Sequence, residues 1–183
     1  SRSRAAMLRE LQRDYEGFPK AVRLVMQEAN KRSLGRIYGP VSSLIQTDDA
    51  YTVAVETALG ASMQNIVVDT EENGKAAIRF LKQCDGGRAT FLPLRTVQGR
   101  SLQEKGLSSN RGFVGIASDL VRYKPEYEGV IRSLLGRIAV VENLDHAIAM
   151  ARAYQNRFKI VTLDGQVMNA GGSMTGGSAS RSA

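Results

Sequence analysis

The chain has 183 residues, 43% of them hydrophobic, with a formal net charge of +7, one cysteine and one histidine. This composition excludes wholesale disorder, an intrachain disulfide framework and a zinc site built from the usual thiolates and imidazoles. The basic excess favours a polyanionic partner such as nucleic acid, because each neutralised phosphate releases counterions, but composition alone leaves that partner open.

Two helices are predicted at the N-terminus, separated by Gly17 and Pro19. The first has apolar residues at helical steps, and this pattern fits either a short coiled-coil seam or an ordinary amphipathic helix. Its apolar positions are Leu8, Leu11, Tyr15 and Phe18. The second helix has an apolar face formed by Val22, Val25, Met26 and Ala29.

A helix–strand–helix–strand series follows. The first helix begins at Asp48 or Asp49, either of which can cap it, and ends at Gly60. A buried strand is predicted over 65–69, then a helix capped by Thr70, then a strand over 89–92. Cys84 lies on the apolar stripe of the second helix and is therefore predicted to be in the core.

The segment 95–112 is polar, charged and rich in glycine, with no sustained apolar period. This pattern predicts a linker or surface excursion and the best internal domain boundary. After it the series repeats, because the helix from Tyr127 to Gly136 has the same spacing as the helix from Tyr51 to Gly60. The sequence thus predicts two related units of mixed α/β structure packed as half-domains.

The second half ends in a hairpin and a glycine-rich segment. Asp164-Gly165 predicts a tight turn between strands over 158–162 and 166–168. The segment 171–178 is either a flexible tail or an ordered sheet edge that lets another backbone approach closely. The apolar lead through Val167 favours the ordered edge.

Catalytic, cofactor and metal sites are not predicted. The sequence has neither of the two glycine-rich nucleotide-binding patterns, and the glycine segment lacks the lysine of a phosphate-binding loop. His146 has no nucleophile motif near it, and we expect it to be a surface or helix-packing residue. No apolar run reaches the about 20 residues of a membrane span, and a reducing cytosolic setting without a signal peptide is expected.

Six segments carry a resemblance to a known family. They are residues 35–41, 51–60, 64–68, 87–94, 161–165 and 171–177. With them, the chain from residue 17 to residue 178 closely resembles the hinge domain of bacterial structural maintenance of chromosomes (SMC) proteins, the condensin-type chromosome segregation ATPases.

The resemblance implies a two-lobed hinge without ATPase activity, in which lobe one of each chain meets lobe two of a second copy in a ring-shaped homodimer. It implies domain limits of 1–17 for the end of a coiled-coil arm, 18–110 for lobe one with its linker, 111–178 for lobe two and 179–183 for a tail. It also implies cytoplasmic, nucleoid-associated work in chromosome condensation and segregation. The dimer interface it implies consists of Gly171, Gly172, Met174, Thr175, Gly176 and Gly177.

The family resemblance also implies DNA binding where the hinge meets the coil. The basic residues at that place are Arg9, Arg13, Lys20, Arg23, Lys31 and Arg32. A solvated basic helix is the alternative, because phosphate contacts require clustering in space. A monomeric basic nucleic-acid-binding module therefore stays open as the second function, and a phosphate-handling enzyme built on the glycine segment as the third.

Overall fold

The structure is a computed structural model of the chain and describes residues 15–178. Several predicted features lie outside the described residues. They are the seam residues Leu8 and Leu11, the basic residues Arg9 and Arg13, most of the predicted arm, and the tail 179–183.

Short helices and strands alternate along the described chain. The α-helices are α1 (Lys20–Ala29), α2 (Val41–Leu44), α3 (Asp49–Leu59), α4 (Glu71–Gln83), α5 (Glu128–Leu135) and α6 (Leu144–Ala153). The strands are β1 (Ile37–Pro40), β2 (Ile45–Thr47), β3 (Ile66–Val68), β4 (Phe91–Pro93), β5 (Phe113–Ile116), β6 (Val121–Tyr123), β7 (Ile138–Val141), β8 (Lys159–Thr162), β9 (Val167–Met168) and β10 (Met174–Thr175). Single 3-10 turns span Gly60–Gln64, Leu107–Ser109, Ala117–Leu120 and Pro125–Tyr127.

The predicted repeat is confirmed in the strand pairing. In the first copy β3 pairs antiparallel with β1 and parallel with β4. In the second copy β7 pairs in the same way with β5 and β8. Even the irregularities match, since the register shifts between Ile37 and Gly39 in one copy and between Phe113 and Gly115 in the other. The mixed α/β fold predicted from the sequence is therefore correct.

The helix that follows the central strand is capped in the same way in both copies. The Thr70 hydroxyl accepts the Asn73 N–H at the start of α4, and the Asn143 side chain accepts the His146 N–H at the start of α6. Such caps satisfy backbone donors that the first turn of a helix leaves without partners. Thr70 is thereby confirmed as a cap.

The chain divides into two compact units that are not consecutive in sequence. Of the described residues, unit one contains 15–46, 61–98 and 123–130, and unit two contains 47–60, 99–122 and 131–178. Helix α3 of the first repeat thus belongs to unit two, and the segment around Tyr127 of the second repeat belongs to unit one. This division follows contacts and not chain order, so the domain limits at residues 17, 110 and 178 stay a prediction.

Unit one has a three-stranded sheet in the order β1-β3-β4. Its core lies where α1 and α4 pack on this sheet. The buried core residues are Ala21, Val22, Val25, Met26, Leu34, Ile66, Val68, Ala77 and Leu81. Four of them alternate in pairs along α1, as the apolar face predicted for this helix requires.

A polar cluster ties the end of β3 to the rest of unit one. The Tyr38 hydroxyl donates to the Asp69 carboxylate over 3.1 Å, and the Arg95 Nε donates to the same oxygen over 3.2 Å. The hydrogen bond from Arg95 holds the pKa of Asp69 below its usual value, while burial raises the pKa of Tyr38. The Tyr38 ring also meets the edge of Tyr127 at 5.6 Å between centroids, which anchors the segment 123–130 in unit one.

Unit two has a five-stranded sheet in the order β10-β9-β8-β7-β5. Helix α6 covers β7, β8 and β9, and α3 contacts β8. The hairpin predicted at Asp164-Gly165 is confirmed, because β8 and β9 pair antiparallel across it. Unit two therefore contains the three strands of the repeat and two further strands, β9 and β10, for which unit one has no counterpart.

The segment 95–112 was predicted as a linker, and this prediction is wrong. Leu102 and Leu107 are only 5% and 7% exposed and belong to the core of unit two. The Leu102 N–H donates to the Gly136 carbonyl over 2.8 Å, which fixes the segment against the end of α5. Two isolated leucines in a polar segment produce no periodic signal, although both are buried.

Two smaller expectations also need correction. Cys84 is exposed, because α4 ends at Gln83 and Cys84 lies in the turn that caps it, beyond the apolar stripe. Asp48 occupies the N-cap of α3 but makes no side-chain capping bond. Its carboxylate instead accepts from the Arg122 guanidinium over 2.8 Å.

We predict that Leu102→Ala destabilises the folded chain by about 2–5 kcal/mol, the usual cost of removing a buried leucine side chain from a core. Urea unfolding followed by circular dichroism measures this loss. Gln103→Ala is the matched control, since Gln103 is the exposed neighbour and should change stability by less than about 0.5 kcal/mol. Equal stability of Leu102→Ala and the wild type would show that the segment does not pack as described.

Candidate assembly edge

The β8–β9 hairpin is the frame on which the glycine-rich segment is built. The Thr162 N–H donates to the Gln166 carbonyl, and the Gln166 N–H donates to the Thr162 hydroxyl oxygen, each over 2.9 Å. The Thr162 hydroxyl in turn donates to the Asp164 carboxylate, and this bond lowers the pKa of Asp164. The turn is therefore closed by both backbone and side-chain bonds, and the charge of Asp164 is retained at neutral pH.

The glycine-rich segment is ordered and forms the terminal strand of the unit-two sheet. Met174 pairs with Met168, and Thr175 pairs with Val167, in antiparallel register. The Asn169 amide donates to the Thr175 hydroxyl oxygen over 3.1 Å and adds a side-chain bond to this short pairing. The interpretation of 171–178 as an ordered sheet edge is thus confirmed, and the interpretation as a flexible tail is wrong.

The Gln166 side chain clamps the end of this edge. Its Oε1 accepts the Gly177 N–H over 2.8 Å, and its Nε2 donates to the Gly177 carbonyl over 3.0 Å. A side-chain amide that bonds both backbone groups of one residue imitates a neighbouring strand. Gly176 leaves room for it, since a Cβ there would lie 2.1 Å from the Gln166 Oε1.

The remaining glycines allow the sharp turn between β9 and β10. Gly171, Gly172 and Gly177 have φ of +89°, +105° and +133°, a region that residues with a Cβ rarely adopt. The Gly171 N–H donates to the Asn156 carbonyl over 2.8 Å, and the Gly172 N–H donates to the Asn169 carbonyl over 3.0 Å. The glycines are therefore required by the fold of the edge itself, before any second chain is considered.

The outer face of this edge is open to solvent. Met174 is 54% exposed, and Thr175 and Gly176 are exposed beside it. An exposed terminal strand presents backbone groups with which another strand can pair, and the small residues here allow close approach. Whether a second chain contacts Gly171, Gly172, Met174, Thr175, Gly176 and Gly177 stays a prediction.

The predicted DNA contacts that lie in the described chain all belong to unit one. Lys20 and Arg23 are on α1, while Lys31 and Arg32 follow its C-terminal end. Lys20, Lys31 and Arg32 are exposed, whereas the Nε of Arg23 is buried and has no hydrogen-bond partner among the described residues. Lys31 also lies 3.5 Å from Glu28, so part of its charge is locally compensated.

Groups that could perform chemistry are not brought together in the part of the chain that the structure describes. Within residues 15–178 no cluster of three or more histidine, cysteine or acidic side chains could hold a metal ion. His146 packs against Gly112, where a Cβ would lie 2.3 Å from the imidazole ring, and its Nε2 is 3.9 Å from Glu142. No helix among these residues is long and apolar enough to cross a membrane.

Sequence reasoning missed the polar side chains that hold the edge. Gln166, Asn156 and Asn169 supply bonds to the glycine-rich segment, and none of them was singled out. The available signal was indirect, because Gln166 directly follows the Asp164-Gly165 turn and so faces the chain that returns along β9. Only the distance between Gln166 and Gly177 identifies it as a clamp.

Comparison with known proteins gives a consistent result. The family model of the flexible hinge domain of SMC proteins matches residues 34–151. The chromosome partition protein Smc of Bacillus subtilis (strain 168) is 44% identical over 180 residues, and that of Lactiplantibacillus plantarum is 42% identical over 179. These matches cover 97% and 96% of this chain but only 15% of each relative, so the chain spans about a seventh of the length of the curated relatives that it matches.

Solved structures show the same similarity. The crystal structure of an asymmetric dimer of the Geobacillus stearothermophilus SMC hinge domain has a TM-score of 0.90 and 42% identity, covering 98% of this chain and 74% of that one. The Pyrococcus furiosus SMC hinge domain has a TM-score of 0.73 and 29% identity, covering 96% of this chain and 88% of that one.

We predict that Gly176→Ala and Gln166→Ala each speed hydrogen exchange at the Gly177 amide, because both remove the bond from that amide to Gln166. The expected loss is about 0.5–1.5 kcal/mol of local stability, the net contribution of one hydrogen bond. NMR exchange measurements at Gly177 test this, with Ser178→Ala as the neighbouring control. The two changes should not add in the double variant, and additive effects would contradict a shared clamp.

Proposed function

Because this chain belongs to the SMC hinge family, we propose that it is a non-catalytic assembly module that joins two copies of itself. The family resemblance found in the sequence is confirmed by the family-model match over residues 34–151. The observation that supports self-association most directly is the ordered, exposed strand Met174–Thr175 at the end of the unit-two sheet. A relative with the same fold is described as a dimer of hinge domains.

The hinge lobes predicted from the resemblance remain part of this proposal. Residues 18–110 would correspond to lobe one and 111–178 to lobe two, with 1–17 as the end of a coiled-coil arm and 179–183 as a tail. Lobe one of one copy would meet lobe two of the other, so the pair would connect two arms. In a complete chromosome partition protein, this connection would serve chromosome condensation and segregation on the nucleoid, with ATP hydrolysis at domains outside this chain.

DNA is the second proposed partner, and charge supports it. Lys20, Lys31 and Arg32 are exposed within one short stretch of unit one, at the two ends of α1. Exposed basic side chains contribute to affinity through phosphate contacts and counterion release, without reading the base sequence. Such binding would be sensitive to salt and would tolerate any DNA sequence.

We predict that the wild-type chain is a dimer at micromolar concentration and that Gly172→Glu with Gly176→Glu weakens it at least about tenfold. The glutamates would distort the edge strand and place two like charges beside its partner. Sedimentation equilibrium over a range of concentrations measures the dissociation constant.

The matched control for that experiment is Gly106→Glu with Ser109→Glu, which adds the same charge at exposed positions of another loop in unit two. Circular dichroism checks that both variants retain their helices. A wild-type chain that stays monomeric would contradict the assembly function and leave a monomeric DNA-binding module as the surviving candidate.

We also predict that Lys20→Gln with Lys31→Gln and Arg32→Gln weakens binding to a fluorescent DNA duplex. If all three residues contact phosphate, the slope of log affinity against log salt should become shallower by as much as about 3. Fluorescence anisotropy at several salt concentrations gives this slope.

The control for the DNA experiment removes three exposed arginines of unit two, Arg111, Arg152 and Arg157, and therefore makes the same change in net charge. Its salt slope should stay close to that of the wild type. If both triple variants lose the same affinity, binding follows net charge alone, and the assignment of a site at α1 is wrong.

A further inference from the structure

An apolar groove opens on the surface of unit one. It has a volume of about 420 Å³ and lies between Ile78, Leu81 and Lys82 of α4 and the turn formed by residues 85–89. Ile78 is 55% exposed, and with Met174 it is one of the two large hydrophobic side chains that the described chain leaves exposed. An exposed aliphatic side chain beside a groove is typical of a surface that another chain covers.

The internal repeat shows what occupies the equivalent place in unit two. Ile78 follows the Thr70 cap of α4 by the same number of residues as Ala151 follows the Asn143 cap of α6. Ala151, however, is only 3% exposed and belongs to the core cluster that contains Met168 of β9. Helix α6 contacts β9 directly. A strand therefore covers the position that Ile78 leaves open in unit one.

The strand registers lead to the same conclusion. In unit one Phe91 of β4 pairs with Ile66, and in unit two Ile160 of β8 pairs with Ala139, the equivalent position of the central strand. Ile160 pairs on its other side with Met168 of β9, whereas the sheet of unit one ends at β4 among the described residues. The groove beside Ile78 thus lies where the repeat predicts a further strand with an apolar side chain.

We propose that the groove of unit one receives Met174 from the β10 edge of a second copy of this chain. The inference rests on the proposed self-association and names the surface that receives the edge. Met174 is the cross-strand neighbour of Met168, and cross-strand neighbours point to the same face of a sheet. Met168 is buried against α6, so Met174 projects on the helix-bearing face, as a side chain that enters the groove beside α4 must do.

The charges of the two surfaces are complementary. Lys82 and Arg88 lie at the groove, and Asp85 is the acidic residue among those that line it. The edge that would enter carries one charged side chain between residues 160 and 178, the acid Asp164. Asp164 is exposed, and its hydrogen bonds stabilise the charged form. A basic groove and an acidic edge favour this pairing over an edge-to-edge pairing of two β10 strands.

Cross-linking between single-cysteine copies tests the contact in Cys84→Ser chains, because Cys84 is exposed close to the groove. One copy carries Ile78→Cys and the other Met174→Cys, and a short bismaleimide is added to the mixture after subunit exchange. We expect covalent dimers in the mixture and few or none from either variant alone. Glu72→Cys, exposed on another face of α4, replaces Ile78→Cys as the control and should give few.

A charge exchange tests the energetics of the same contact. Ile78→Asp and Met174→Lys should each weaken the dimer on the order of tenfold, since each loses apolar burial, and the double variant should recover part of the loss. Both residues are exposed, so each variant should unfold at the wild-type temperature. The proposal is wrong if the wild type is a dimer but neither single variant weakens it and the mixture does not cross-link. A wild-type monomer would instead overturn the proposed function itself.

Discussion

Backbone pairing of three short strands is the constraint on which both units depend. Each unit places its central strand, β3 or β7, between an antiparallel neighbour and a parallel neighbour, and each first pair has a register shift at a glycine. A parallel neighbour requires a crossover, and the capped helices α4 and α6 provide it. The helix then covers one face of the sheet, so the central strand is fully buried in both copies. The remaining differences between the units concern what happens at the sheet edges.

Much of the fold could be predicted, because its strongest signals are local. The cap at Thr70, the turn at Asp164-Gly165 and the buried strand at 138–141 each depend on residues that are close in sequence, and the structure confirms all three. Leu102 is different, since its burial comes from residues far along the chain. A polar segment with one or two isolated leucines has the same pattern whether it is exposed or packed.

The division into units could not be predicted for a related reason. The helix that begins near Tyr51 and the helix that begins near Tyr127 have the same spacing of apolar residues, and this spacing shows that they are equivalent. It contains no information about which unit each helix joins, because an apolar stripe can pack on any complementary sheet. The contact of Tyr127 with Tyr38 decides the matter for one of them, and only coordinates reveal it. The glycine segment was likewise predicted as an edge, but its clamp by Gln166 was not.

The two sheet edges together suggest why assembly would stop at two copies. Unit two has an additional edge that presents Met174, while unit one has a groove at the place where the repeat predicts such an edge. A chain with one donor surface and one receptor surface can form either an open filament or a closed ring. In a ring of two copies both grooves are filled and both edges are covered, so no apolar surface remains to recruit a third. The repeat would thus provide the receptor for its own extension, and self-association would follow from the strand that one half has and the other lacks.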